Sequence, residues 1–320
     1  MHACTLLHSP SVATAGPFDL DDDAAYLRWR AWKLAHLPAG TEALTVDVAD
    51  PRALSAAERT ALLERIAGVN FAVYRSPVTA EDKDIPRLLG AQLGLQRLDA
   101  NWLADEDGIS SIAVARTLPP TAPRATDGRG GFIPYTDRPI RWHTDGYYHP
   151  AERRIRGMIL HCVRPAASGG VNGLLDHELA YLRLRDIAPA HIHALMQPDA
   201  MTIPARTDDD GIARAAQSGP VFAVDEDGSL HMRYTARTRS IEWKDDAATR
   251  AAVAALEALL AADAPGVLHL RLQPGMGIVG HNVLHDRSGF SDDAARPRLL
   301  YRARFLDRAS LPAEAPWRNG

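Results

Sequence analysis

The chain has 320 residues, 46% of them hydrophobic and 24% charged, with a formal net charge of −4. A mean hydropathy of −0.20 and a pI near 6.3 describe a globular chain with a sizeable core, and no broad basic field favours nucleic acid or an anionic membrane. Cys4 and Cys162 are its only cysteines, too few for a disulfide framework or an all-thiolate metal site. With no basic, apolar leader over Met1 to Pro17 and no membrane-length apolar run, the expectation is a reducing cytoplasm.

In chain order, residues 1–40 carry no motif and read as an N-terminal extension. Residues 41–320 read as a single domain, without repeats or low-complexity linkers, carrying a helical insert at about 176–262. Thr41 to Val48 alternates as a strand does. Ser55 and Glu58 form the S-x-x-E capping pattern of a helix whose apolar face includes Leu62, Leu63 and Ile66, with Gly68 expected as its C′ residue. Val69 to Tyr74 reads as a buried strand, and Asp84 to Leu95 as a short helix with Pro86 in its first turn. Prolines and glycines crowd Thr117 to Asp137, which predicts a long loop of the lid or binding type.

Gly157 to Val163 is a predicted strand and Ser168-Gly169-Gly170 a turn. Helices are predicted over Glu178 to Asp186, near Ala190 to Met196, and over Asp245 to Ala262, stopped by Pro265-Gly266. Val267 to Leu272 and Ile278 to His285, joined at Pro274-Gly275, are expected to form a hairpin, and Leu299 to Leu306 a last strand. Helices early and in the insert, with strands dominating the second half, predict a mainly β fold with added α. The expected core is a β-sandwich or jelly roll rather than an alternating βαβ sheet.

The chemistry-bearing residues begin at His143-Thr144-Asp145. Residues two apart on a strand project to one face, so an imidazole and a carboxylate can reach one ion together. One distant histidine would complete two His and one carboxylate on one face of an octahedron, the pattern of non-haem iron(II) oxygenases. His281 and His285 are both candidates. Period two gives them the same face, and at ~3.3 Å per residue they stand about 13 Å apart, so both cannot bind one ion. Arg298 and Arg302 again share a face. Their planar forks suit the far carboxylate of a chelating dicarboxylate, although a surface cluster would look the same.

Taken together, these segments resemble the taurine dioxygenase-like oxygenases, which include γ-butyrobetaine hydroxylase. The matching text is Trp142-His143-Thr144-Asp145-Gly146, Leu160-His161-Cys162, Gly169-Gly170-Val171-Asn172 with Asp176, Asn282 to Arg287 with Phe290, and Arg298-Leu299-Leu300-Tyr301-Arg302. His285 follows Asp145 by 140 positions and Arg298 follows His285 by 13, and the likeness covers roughly Val69 to Phe305. The resemblance implies a distorted double-stranded β-helix, a jelly roll, with helical insertions. It implies Fe(II), 2-oxoglutarate and O2, with His143, Asp145 and His285 as metal ligands and His285 preferred to His281. Arg298 would pair with the distal carboxylate of 2-oxoglutarate, and Asn172 would help to hold it. Arg302 is expected near the chelating end of 2-oxoglutarate or near an anionic substrate group. The implied activity is a dioxygenase that hydroxylates a small molecule, in a possible homo-oligomer, without nucleic-acid or membrane partners.

Two substrate-binding clusters compete. Tyr135, Trp142, Tyr147 and Tyr148 could cage a quaternary ammonium group, or simply pack beside the sheet. Arg233, Arg237 and Arg239 could bind an anion, or be paired surface charge. A jelly-roll hydrolase or isomerase using the same His/Asp/His site with zinc or manganese is the rival reading. It accounts for the ligands but not for Arg298 or Asn172.

Overall fold

Among the described residues, ten strands form two sheets packed face to face; most lie where the sequence predicts strands, but Ser110–Ile112 and Asn172–Leu175 are strands it does not predict. The computed structural model of the chain describes residues 16–100, 104–114, 132–208, 211–237, 241–261, 265–293 and 295–311. The strands are β1 (Thr45–Asp47), β2 (Phe71–Arg75), β3 (Ser110–Ile112), β4 (Ile140–His143) and β5 (Gly157–Arg164). They continue as β6 (Asn172–Leu175), β7 (Leu268–Leu270), β8 (Met276–His281), β9 (Leu284–Arg287) and β10 (Leu299–Phe305). The larger sheet runs β1-β2-β8-β5-β10-β3, the smaller β7-β6-β9-β4.

Both faces of the larger sheet are buried, which is why its strands read as nearly continuous apolar runs. In β10, Leu299, Tyr301, Ala303 and Phe305 face an outer cluster, while Leu300 faces the space between the sheets. The same period two turns Arg302 and Arg304 inward beside Leu300. The inter-sheet core also takes Phe71, Cys162 and Ile278 from the larger sheet and Leu174 from the smaller.

Among the described residues, six helices cover this sandwich: α1 (Asp23–Ala35), α2 (Ala56–Val69), α3 (Ile85–Gln92), α4 (His177–Ile187), α5 (Pro189–Leu195) and α6 (Ala247–Ala261). Leu62 and Ile66 of α2 and Leu89 of α3 are fully buried in the outer cluster, each burial contributing roughly 1.5–3 kcal/mol. Helices α1, α4, α5 and α6 share a separate core containing Trp29, Tyr181, Leu195 and Leu256. The α1 helix is tied there by Lys33, whose fully buried ammonium lies 2.6 Å from Asp176 and 2.5 Å from Glu178. No helix among the described residues is long and apolar enough to cross a membrane.

Several local expectations hold. Ser55 Oγ accepts from the Glu58 N–H at 3.2 Å while a Glu58 carboxylate oxygen accepts from the Ser55 N–H at 2.7 Å, a complete capping box. Others need correction. Gly68 does not end α2. The helix continues to Val69, and Asn70 takes the left-handed conformation with φ 67°. Asparagine tolerates that region, and here its amide is also recruited by Asp176 and His281. Thr41 to Val48 opens as a 3-10 turn at Glu42–Leu44 before β1 begins.

The expected hairpin is absent. β7 pairs with β6 in the smaller sheet, while β8 pairs with β2 and β5 in the larger, so the chain crosses between sheets at Pro274-Gly275. Most of the Thr117 to Asp137 loop lies outside the described residues, as do Arg239 and Ala262.

Candidate metal centre

His143 ends β4 and His285 sits on β9, and the two are register partners across the antiparallel pair. Leu174 is the partner of His285 on the other side and faces the inter-sheet core, so both imidazoles enter that space. Their rings stand 4.2 Å apart, centroid to centroid. Asp145 follows beyond the end of β4, where Gly146, with φ +68°, turns the chain. A Cβ at Gly146 would come within 2.4 Å of Ile155. One ligand atom each from His143, Asp145 and His285 lies within 4.8 Å of the others, the only such cluster among the described residues.

Each member of the triad is aimed by a neighbour. His143 Nδ1 donates to the Arg141 carbonyl and His285 Nδ1 to the Val283 carbonyl, both at 2.9 Å. A carbonyl only accepts, so these contacts put the proton on Nδ1 and leave each Nε2 lone pair for the centre. Arg302 donates to Asp145 Oδ1 at 3.1 Å, while the buried Oδ2 has no hydrogen-bond partner. Burial works against ionisation of Asp145, but Arg302 and Arg304 outweigh it and hold the carboxyl well below its usual range. Burial, with His285 close by, lowers the His143 pKa to about 3. Two unprotonated imidazole nitrogens and one orphaned carboxylate oxygen are the donor set a divalent cation takes, so the residues fit such an ion.

Asn282 is the residue whose role motif reading does not reveal. Its side-chain carbonyl accepts from the Asp145 N–H at 2.8 Å, and its amide donates to the carbonyls of Asp145, 2.8 Å, and Ile155, 2.9 Å. It therefore clamps the backbone of one triad member between β8 and β9.

His281 is not part of the cluster. The strand β8 ends at His281, and the chain changes sheets before β9, so period two does not carry from one histidine to the other. His281 Nδ1 instead meets Asn70 Oδ1 at 2.7 Å, on the side of the buried Lys33 and Asp176.

Arg298 borders a cavity of about 210 Å³ with Cys162, Gly170, Asn172 and Leu272. Its guanidinium stacks 4.9 Å over Phe290, and no carboxylate among the described residues lies within ion-pair distance of it. Asn172 is the partner of Arg287 in β9, two residues from Leu174, hence roughly 7 Å along the sheet from the level of His285. A short dicarboxylate spans that distance.

The substrate candidates separate. Tyr135 is buried in the inter-sheet core, whereas Trp142, Tyr147 and Tyr148 pack against the core shared by α1, α4, α5 and α6. A cavity of about 510 Å³ borders Asp145, Tyr147, Arg154, His231 and Arg233. Arg233 donates to the carbonyls of Met201, Gln217, Gly219 and Pro220, so its guanidinium is already engaged. Arg237 is exposed, two residues past Thr235, the bridge partner of His143.

The chain as a whole is similar to known dioxygenases. The family described as "Taurine catabolism dioxygenase TauD, TfdA family" matches residues 33–304. A protein named uridine-5'-phosphate dioxygenase from Amycolatopsis sp is 35% identical over 196 residues, covering 60% of this chain and 66% of the relative. One of the same name from Streptomyces sp is 32% identical over 205 residues, 61% of this chain and 72% of the relative. The chain thus matches about two thirds of the first relative's length. Among solved structures, asparagine oxygenase in complex with Fe(II), 2S,3S-3-hydroxyasparagine and succinate superposes with a TM-score of 0.57 at 18% identity. That match covers 89% of this chain and 91% of the other. Identity at that level shows a shared fold.

Proposed function

This chain belongs to the taurine catabolism dioxygenase TauD, TfdA family, and on that premise we propose that it is an Fe(II)- and 2-oxoglutarate-dependent dioxygenase hydroxylating a small molecule. The observation carrying the proposal is the His143, Asp145 and His285 cluster beside the buried, carboxylate-free Arg298. His143, Asp145 and His285 hold the metal, with Asp145 Oδ2 as the carboxylate donor. Arg298 receives the distal carboxylate of 2-oxoglutarate through its planar fork, and Asn172 lines the same cavity. Iron bound here supplies the oxidative chemistry: substrate C–H, O2 and 2-oxoglutarate become substrate C–OH, succinate and CO2.

The chain's own residues bind, orient and shield. Arg302 occupies Asp145 Oδ1, which keeps the other oxygen for the ion and the carboxyl ionised. Asn282 holds Asp145 at its turn, and the two Nδ1 contacts keep the imidazoles in the ligating tautomer. Leu174 and the other inter-sheet residues line the apolar space that both imidazoles enter. The names of the two curated relatives make a nucleoside 5'-phosphate the first substrate class to assay. The net charge of −4 favours a small-molecule substrate over nucleic acid, and Cys162 as a buried free thiol supports a cytoplasmic setting.

The deciding experiment is anaerobic titration of the Fe(II) protein with 2-oxoglutarate, following the visible charge-transfer band of the chelate. The band is expected in the wild type and in His281→Ala, and is expected to vanish in His285→Ala. A protein that binds zinc or manganese tightly yet forms no band would return the hydrolase or isomerase reading.

A further inference from the structure

Four arginines stand near the candidate centre on the insert side, and they are not equivalent. Arg154 and Arg233 border the cavity beside Asp145, but Arg154 is paired with Asp225 at 3.0 Å and Arg233 is spent on backbone carbonyls. Arg214 and Arg237 are different. Arg214 ends a hairpin formed by Arg206–Asp208 and Gly211–Arg214, directly across from Arg206. One of its amino groups donates to the Pro204 carbonyl at 2.8 Å, while the other, Nη1, is buried without a partner. Its guanidinium carbon lies 5.7 Å over the ring of Tyr148, which is itself 5.2 Å from Tyr147.

Arg237 reaches the neighbouring ring, Tyr147. Thr235 is the bridge partner of His143, and the Ala236 N–H donates to the Trp142 carbonyl, which brings the segment alongside β4. Thr235 and Arg237 lie against the Tyr147 hydroxyl, and Tyr147 is two residues from Asp145. No carboxylate among the described residues pairs with Arg214 or Arg237. Two cations without counter-charges converge on two aromatic rings beside the metal cluster.

We propose that Arg214 and Arg237, around the Tyr147 hydroxyl, form the subsite that receives the phosphate of a phosphate-monoester substrate. Two guanidinium groups match a dianion, and each can donate two parallel hydrogen bonds to its oxygens. Tyr147 and Tyr148 offer ring faces to a planar body attached to that phosphate. The subsite selects an anionic substrate over a quaternary ammonium one, because a cation brought to these tyrosines would meet Arg214 and Arg237 first. The proposal rests on the dioxygenase reading and adds to it the residues that choose the substrate.

The test measures binding of uridine 5'-phosphate, uridine and inorganic phosphate to the Fe(II)·2-oxoglutarate protein under anaerobic conditions. In the wild type, uridine 5'-phosphate is expected to bind at least tenfold more tightly than uridine, with inorganic phosphate competing. Arg214→Gln and Arg237→Gln should each erase most of that difference while leaving uridine binding and the 2-oxoglutarate band unchanged. Arg214→Lys should retain part of it. Equal affinity for the two uridine probes, no binding of either phosphate-bearing probe, or equal losses for both in the variants would overturn the subsite. Absence of the 2-oxoglutarate band in the wild type would instead strike the dioxygenase reading.

Discussion

Replacing Arg298 by leucine should separate binding from stability. Arg298 is 4% exposed, and burial pushes its pKa from the ordinary 12.5 down to about 10, against the pull of Cys162 and Asp292. Keeping it charged in the absence of an anion therefore costs about 3 kcal/mol. Arg298→Leu relieves that cost and forfeits the stacking on Phe290, worth about 1 kcal/mol. The ligand-free variant should accordingly be as stable as the wild type, or more stable by up to about 2 kcal/mol. Loss of the partner for a desolvated carboxylate should weaken 2-oxoglutarate by about 2–5 kcal/mol, roughly 30- to 5000-fold in Kd. Anaerobic titration of the chelate band measures the second quantity, and thermal melts with and without 2-oxoglutarate measure the first. A variant that binds 2-oxoglutarate within threefold of the wild type, or whose ligand-free form loses several kcal/mol, would refute the reasoning.

Asn282→Ala removes all three hydrogen bonds of the clamp on Asp145 and Ile155, so about 2–3 kcal/mol of stability should go with it. Iron affinity should fall 10- to 100-fold by order of magnitude; an unaltered iron titration would deny the clamp its role. Lys33→Met strands Asp176 and Glu178 in the interior and is expected to cost about 3–5 kcal/mol in urea denaturation, with a neutral result counting against the buried pairs. Burial lowers the pKa of His161 to about 4 and depresses His177, His231 and His281 as well. The unfolded chain takes up protons near pH 6.5 while these folded residues do not. Their stabilisation is thus complete above 6.5 and is lost as pH falls toward the folded values, each residue adding up to about 1.4 kcal/mol per pH unit. Urea midpoints at pH 7 and pH 5 should differ markedly, and a flat profile would contradict the buried neutral histidines.

Local chemistry was open to reading from the residues themselves. The capping box at Ser55 and Glu58, the Pro86 helix and the alternation in Leu299 to Phe305 depend on neighbours in the chain, and the structure realises them. The H-x-D triplet suggests a candidate ligand pair through its two-residue spacing alone, whereas the preference for His285 over His281 follows only from the family resemblance of Asn282 to Arg287. Arg298 could be singled out by its spacing from His285, but its lack of a counter-charge could not.

What only tertiary structure decided is which groups are left without partners. Four positions separate His281 from His285, yet a change of sheet between them sends one to Asn70 and the other to His143, which no periodicity along the chain records. Arg233 and Arg237 look alike in one segment, and four backbone carbonyls, of Met201, Gln217, Gly219 and Pro220, consume the first while the second stays exposed. Asn70 rather than Gly68 ends its helix because its side chain is wanted by Asp176 and His281, residues more than 100 positions away. A sequence states which donors and charges exist; burial and long-range pairing determine which of them remain available for chemistry.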